Sequence, residues 1–147
     1  MRPVILGMCQ PIEGAEPLDP RPARSSGYNL WRMLADLDVS VTQDEFRRVF
    51  DRRNVLPGTQ WRHTAAQRAS TDVRAALRGH RAVLLGSQVP HALSLFKGII
   101  GAWYGSDLSF EYTCVPHPSG LCRDYNHPAT RRLVGEILLD LYLEYTV

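Results

Sequence analysis

The chain has 147 residues, of which 44% are hydrophobic and 22% charged, so length and composition predict one globular domain spanning residues 1–147. No run approaches the roughly 18 consecutive apolar residues of a membrane span, and the N-terminal apolar run is too short for a signal peptide. Three cysteines without a CxxC spacing indicate neither a disulfide framework nor a zinc site. We therefore expect a reduced, cytoplasmic protein that is a monomer.

The basic residues are unusual in kind. The formal net charge of +2 is too small to identify a nucleic-acid-binding protein, but sixteen of the seventeen basic residues are arginine. The rigid guanidinium fork suits phosphates and base edges, although a GC-rich genome produces the same excess. The pairs Arg47-Arg48, Arg52-Arg53 and Arg131-Arg132 are compatible with solvated faces and with phosphate contacts.

The first third of the chain predicts a buried strand followed by a long irregular loop. Pro3 to Cys9 is a continuous apolar run, typical of a strand buried on both faces. Residues 10–27 hold four prolines and two glycines, which exclude a regular element. This loop leaves the carboxyl end of the strand, where open α/β sheets bind their ligands.

Five helices and three further strands are predicted after this loop. The three strands are expected over about 53–56, 82–85 and 110–115. The first two helices are expected over about 29–37, with Ser26 or Gly27 as cap, and from the capping box at Thr42. The other three are expected over about 70–77, from the cap at Ser87 to about 96, and from Pro128 in the first turn of the last helix. Strands separated by helices predict a three-layer α/β/α fold around a central parallel four-stranded sheet.

Two loops that follow the first and last strands carry the reactive side chains. They are residues 7–11 and 115–123, and in a parallel sheet both emerge at the same edge and can converge on one ligand. His117 stands between two prolines, which fix its backbone. Ser119 and Gly120 can offer a hydroxyl and an unobstructed N–H to a phosphate. Leu121 is an apolar residue at the loop tip, and Arg123 follows it.

The second loop resembles a signature of the uracil-DNA glycosylase superfamily. That signature is HPSPLS in the uracil enzymes and NPSGLSR in the mismatch-specific uracil/thymine branch, and the latter differs at two of seven positions from His117-Pro118-Ser119-Gly120-Leu121-Cys122-Arg123. Residues 7–11 occupy the place of the first signature, which holds an Asp-Pro or Asn-Pro pair. The order of elements and the length fit a small member, so the resemblance covers essentially the whole chain.

The resemblance implies a DNA glycosylase of base excision repair, with DNA as its partner. Gln10 matches the residue that positions the attacking water, although an amide cannot act as a carboxylate base. His117 matches the histidine that stabilises negative charge on the departing base, the logic of an oxyanion hole. Leu121 matches the wedge that fills the stack after base flipping. Ser119 and Gly120 would bind DNA phosphates, and Arg123 would contact the opposite strand or the DNA backbone.

The base pocket and the cofactor requirement follow from the same resemblance. Asn54 is the candidate for reading the Watson–Crick edge, although asparagine before a Pro-Gly turn is also ordinary turn chemistry. Tyr28 or Trp31 would stack on the flipped base, although Trp31 also has the spacing of a core residue. The resemblance implies no metal and no organic cofactor, because the base leaves as a stabilised anion and water is the nucleophile.

Three functions stay open at this point. Gln10 and the proline-rich loop lie where the superfamily shapes its base pocket, so the expected substrate is a uracil-like or modified pyrimidine, such as a hydroxymethylated base. The neutral Gln10 also fits a non-catalytic DNA- or lesion-binding member of the same fold. A nucleoside- or nucleotide-binding α/β domain is the third interpretation, and it would not depend on Leu121.

Overall fold

The protein is built on a four-stranded parallel sheet, seen in a computed structural model that describes residues 1–105, 108–119 and 122–147. The strands are β1 Val4–Gly7, β2 Asp51–Asn54, β3 Arg81–Leu85 and β4 Glu111–Val115. They stand in the order β2-β1-β3-β4, and every neighbouring pair is parallel. β1 is buried along its whole length, which is why its sequence is an uninterrupted apolar run.

Helices cover both faces of this sheet. They are α1 Ser26–Leu37, α2 Gln43–Val49, α3 His63–Ala76, α4 Gln88–Ala92 and α5 Pro128–Thr146, with a 3₁₀ turn at Arg123–Asn126. α1, α2 and α5 pack on the face that carries Ile5, Val83 and Val115. α3 and α4 pack on the opposite face, which carries Leu6 and Leu84. The predicted three-layer α/β/α class with a central parallel four-stranded sheet is confirmed.

Two predicted boundaries are confirmed by their local chemistry. The Thr42 hydroxyl accepts from the backbone N–H of Glu45 at 3.1 Å, which is the N-cap half of the capping box, whereas the Glu45 carboxylate bonds Arg48 and Tyr142. Pro128 is in the first turn of α5, where no helical partner is needed for the missing N–H. Val134, Leu138 and Leu141 of that helix are buried and form part of the core.

Other predicted boundaries were wrong. The cap of α1 is Ser25, whose hydroxyl accepts from the N–H of Tyr28 at 3.1 Å, and not Ser26 or Gly27. β2 begins at Asp51, two residues before the predicted Arg53. No apolar run marks this start, because the side chains of β2 are polar and the strand joins the sheet through backbone pairing with β1. α3 begins at His63, seven residues before the predicted Ser70.

The predicted extent of α4 was also wrong. It ends at Ala92 and does not reach residue 96. Ser94 takes a left-handed backbone with φ of +56°, which is incompatible with continuing the helix. Within the described residues, no helix combines the length and the apolar character needed to cross a membrane.

Candidate active site

The candidate site lies at the carboxyl edge of the sheet, between its two central strands. The chain leaves β1 toward β2 on one side and leaves β3 toward β4 on the other, so a crevice opens between the ends of β1 and β3. β1 ends at Gly7 and β3 is followed directly by Gly86. Neither residue has a side chain. This leaves room over the central strands for Asn54 at the end of β2 and for His117 beyond the end of β4.

His117 leans inward from the β4 side. A Cβ atom at Gly86 would lie 3.3 Å from Cβ of His117, so the histidine packs directly against the glycine backbone. The segment around it is fixed from two sides. The Tyr125 hydroxyl donates to the carbonyl of Pro116 at 2.5 Å, and Asn29 Nδ2 of α1 donates to the carbonyl of Pro118 at 2.6 Å. The histidine is therefore held rigidly before any ligand binds.

The hydrogen bond of the His117 ring fixes its chemical state. The backbone N–H of Ser119 lies 3.2 Å from Nδ1 of His117, and a backbone N–H can only donate, so Nδ1 is the acceptor. Burial lowers the pKa of His117, which favours the neutral ring. A neutral imidazole that accepts at Nδ1 carries its proton on Nε2. His117 therefore presents an N–H donor and no positive charge.

Asn54 leans inward from the β2 side. It is the last residue of β2 and pairs in register with Gly7. A Cβ atom at Gly7 would lie 2.8 Å from Oδ1 of Asn54, so the amide fits there only because residue 7 is glycine. Nδ2 of Asn54 is buried and has no hydrogen-bond partner among the described residues. An unpaired buried donor is costly, so this group needs a partner that the described residues do not supply.

Gln10 lies beside the turn that follows β2. Its backbone N–H donates to the carbonyl of Gly58 at 3.1 Å, which continues the contact between the two strand ends. Its Oε1 is buried and, within the described part of the chain, accepts no hydrogen bond. The edge therefore holds an unpaired acceptor at Gln10 and an unpaired donor at Asn54.

The two aromatic candidates differ in their surroundings. Trp31 donates its indole N–H to the carbonyl of Val41 at 2.9 Å and packs against the core between α1 and α2. This placement gives Trp31 a packing role. Tyr28 is in the first turn of α1, half-exposed, with its ring centroid 5.5 Å from that of Trp31.

The rest of the second loop borders a polar cavity. Ser119 lines a cavity of about 180 Å³ together with Pro118, Cys122 and residues of α1, the 3₁₀ turn and α5, namely Asn29, Met33, Tyr125, Asn126 and Arg131. Arg123 begins the 3₁₀ turn and is exposed. Gly120 and Leu121, the predicted phosphate-binding and wedge residues, lie outside the described residues.

The arginine pairs are bound to carboxylates of the chain itself. The nitrogen–oxygen distances run from 2.7 to 3.9 Å, and the partners are Glu16 for Arg47 and Arg52, Glu45 for Arg48, Asp51 for Arg53, Asp36 for Arg131 and Glu136 for Arg132. Ion pairing within the protein thus accounts for these arginines. The pair between Arg131 and Asp36 has the longest distance and borders the polar cavity.

Sequence reasoning missed three residues that shape the site. Gly86 provides the backbone against which His117 packs, and Asn29 and Tyr125 hold the two flanking prolines. Gly86 ends an apolar run, so a glycine at a strand end was an available signal. The other two contacts join segments far apart in the chain, and no local pattern marks them.

Comparison with known proteins adds no relative. No family model matches the chain, and no curated protein matches it significantly.

Proposed function

We propose that the protein is a DNA glycosylase that hydrolyses the N-glycosidic bond of a flipped-out uracil-like or modified pyrimidine, leaving an abasic site. The observation that carries the proposal is the state of His117. His117 lies at the carboxyl edge of the sheet, and because its Nδ1 accepts from Ser119, its neutral ring offers an N–H donor at Nε2. A donor placed before the reaction stabilises an anion that forms during it, at no cost of reorganisation.

The other groups of the edge fit the remaining parts of this reaction. The Asn54 amide can donate and accept on the edge of a pyrimidine, and its Nδ2 has no partner in the described chain. Gln10 Oε1 can accept a hydrogen bond from the attacking water and so orient the water oxygen toward C1′ of the deoxyribose. As the bond from C1′ to the base breaks, its electron pair leaves with the base. The water oxygen bonds C1′ and loses a proton to bulk water, and the departed base anion takes up a proton in turn.

The neutral Gln10 sets a limit on the rate. A glutamine side chain orients water but does not take its proton, and it does not offset positive charge on the sugar. General bases contribute typically 10²- to 10⁴-fold, so an enzyme lacking one is expected to be slow. This residue is also what favours the second candidate, a DNA- or lesion-binding protein of the same fold that does not cut.

The test is a panel of end-labelled single- and double-stranded oligonucleotides carrying uracil, mismatched thymine or hydroxymethylated pyrimidines. Glycosylase action leaves alkali-labile sites with wild type and none with His117→Ala. His127→Ala is the matched control, because His127 is exposed and near the same loop. DNA binding without alkali-labile sites on any substrate would contradict the glycosylase and favour the binding protein. Activity on free nucleosides, with indifference to DNA, would favour the nucleotide-binding domain.

A further inference from the structure

The loop after β1 places a leucine over the candidate base-reading residue. A Cβ atom at Gly7 would lie 2.8 Å from Oδ1 of Asn54 and 3.6 Å from both Cδ atoms of Leu18. The Leu18 methyl groups and the Asn54 amide therefore share the space above Gly7. Leu18 is half-buried and packs against the core cluster on the α1 face.

The backbone of Leu18 is strained. Its φ is +48°, in the left-handed region that residues other than glycine seldom adopt. Its carbonyl oxygen lies against the first turn of α1, where a Cβ atom at Gly27 would be only 2.3 Å away. Only glycine at position 27 permits this approach. Strain of this kind persists where surrounding contacts impose it, and it is common in ligand clamps and switch regions.

A cluster of charges holds the segment in this position. Glu16 accepts hydrogen bonds from Arg47 of α2 at 3.0 and 3.2 Å and from Arg52 of β2 at 2.8 Å. Arg52 also donates to the carbonyl of Pro17 at 3.1 Å. These bonds end directly before Leu18, so they fix the residue from its N-terminal side.

Leu18 lies beside Asn54, one of the two residues of the edge that have an unpaired polar atom. Oε1 of Gln10 and Nδ2 of Asn54 are both buried, and no group in the described ranges bonds either of them. We propose that Leu18 is a lid residue that fills the base pocket of the free protein and moves aside when a flipped pyrimidine enters. The inference rests on the proposed function for the identity of its ligand. The charge cluster of Glu16, Arg47 and Arg52 acts as the latch.

The test measures binding of a free base and needs no DNA cleavage. Free uracil and 5-hydroxymethyluracil are titrated into the protein while the side-chain amide resonances of Asn54 are followed by NMR. Leu18→Ala is expected to lower the apparent Kd roughly tenfold. This is the change expected if the open state makes up about 10% of the wild-type protein and nearly all of the variant. Ile12→Ala is the matched control, because Ile12 is on the same loop and 70% exposed. It should leave the Kd unchanged.

Glu16→Gln tests the latch without enlarging the pocket. Hydrogen exchange of residues 11–25 should become faster in this variant, and the apparent Kd for the free base should fall. Leu18→Ala and Glu16→Gln both binding no better than wild type would overturn the lid. If neither variant binds the base better and wild type excises bases from DNA, the proposed glycosylase is supported and the proposed lid is excluded. If Leu18→Ala binds the base more tightly and no variant cuts DNA, the lid stands and the glycosylase falls.

Discussion

Replacing Glu16 by glutamine removes the carboxylate that ties the loop after β1 to α2 and β2. The guanidinium groups of Arg47 and Arg52 lower the pKa of Glu16 from an ordinary value of 4.5 to about 2. The difference between these two values corresponds to about 3 kcal/mol of stability. The Glu16 side chain is 31% exposed, and solvent screening reduces the contribution of such a pair. We therefore expect Glu16→Gln to lower the free energy of unfolding by about 1–2 kcal/mol at neutral pH.

The pH dependence separates this effect from a general loss of packing. Because the folded pKa lies below the unfolded one, the stabilisation is present above about pH 4.5 and is lost as the pH falls toward 2. Urea unfolding of wild type and variant across this range measures the difference. Glu13→Gln, exposed on the same loop, should stay within about 0.5 kcal/mol of wild type. A Glu16→Gln effect that is equally large at both ends of the range would show that the Glu16 charge is not the source of the stabilisation.

Three further predictions concern the site itself. Because burial lowers the pKa of His117, the neutral ring persists below its ordinary pKa of 6.5, and base excision should be constant above that pH and fall only below it; a rate that falls between pH 6.5 and 8 would show that the cation is the active form. Gln10→Ala should slow excision about tenfold, the value of one hydrogen bond, whereas Gln10→Asp should speed it by supplying a base; single-turnover rates test both, and equal rates for all three proteins would exclude Gln10 from the reaction. Gly86→Ala should destabilise the protein by about 1–2 kcal/mol, since φ is +79° there and the new Cβ would lie 3.3 Å from His117. Gly58→Ala, where a Cβ meets nothing within 4 Å, is its control, and equal unfolding free energies for the two variants would contradict the packing described at Gly86.

The sheet could be predicted from sequence because its inner strands are buried on both faces. Pro3 to Cys9 and Ala82 to Leu85 are short apolar runs, and the inner strands Val4–Gly7 and Arg81–Leu85 lie on them. α3 was underestimated because Ala66 is the one residue of that helix that is fully buried, so its first half lacks an apolar stripe. The cap at Ser25 was missed because three neighbouring residues, Ser25 to Gly27, are all suitable caps.

The site was predictable only in part, because its precision comes from contacts between distant segments. The expectation that residues 7–11 and 115–123 share one edge follows from parallel strands alone. The contact of Asn29 with Pro118 joins residues 89 apart, and that of Arg52 with Glu16 joins residues 36 apart. Nothing local to either member indicates its partner. The neutral Nε2–H state of His117 likewise depends on a backbone N–H whose direction only the folded chain defines.

The most direct test of the account is to identify what the protein releases from DNA. Wild type, His117→Ala and His127→Ala are incubated with oligonucleotides containing uracil or hydroxymethylated pyrimidines, and the free bases are detected by mass spectrometry. Wild type and His127→Ala are predicted to release the intact base and to leave an oligonucleotide whose mass is that of the abasic product. His117→Ala is predicted to release at least about a hundredfold less base. Equal release of base by wild type and His117→Ala would contradict the proposed role of His117. No release of base by any of the three proteins would contradict the proposed glycosylase.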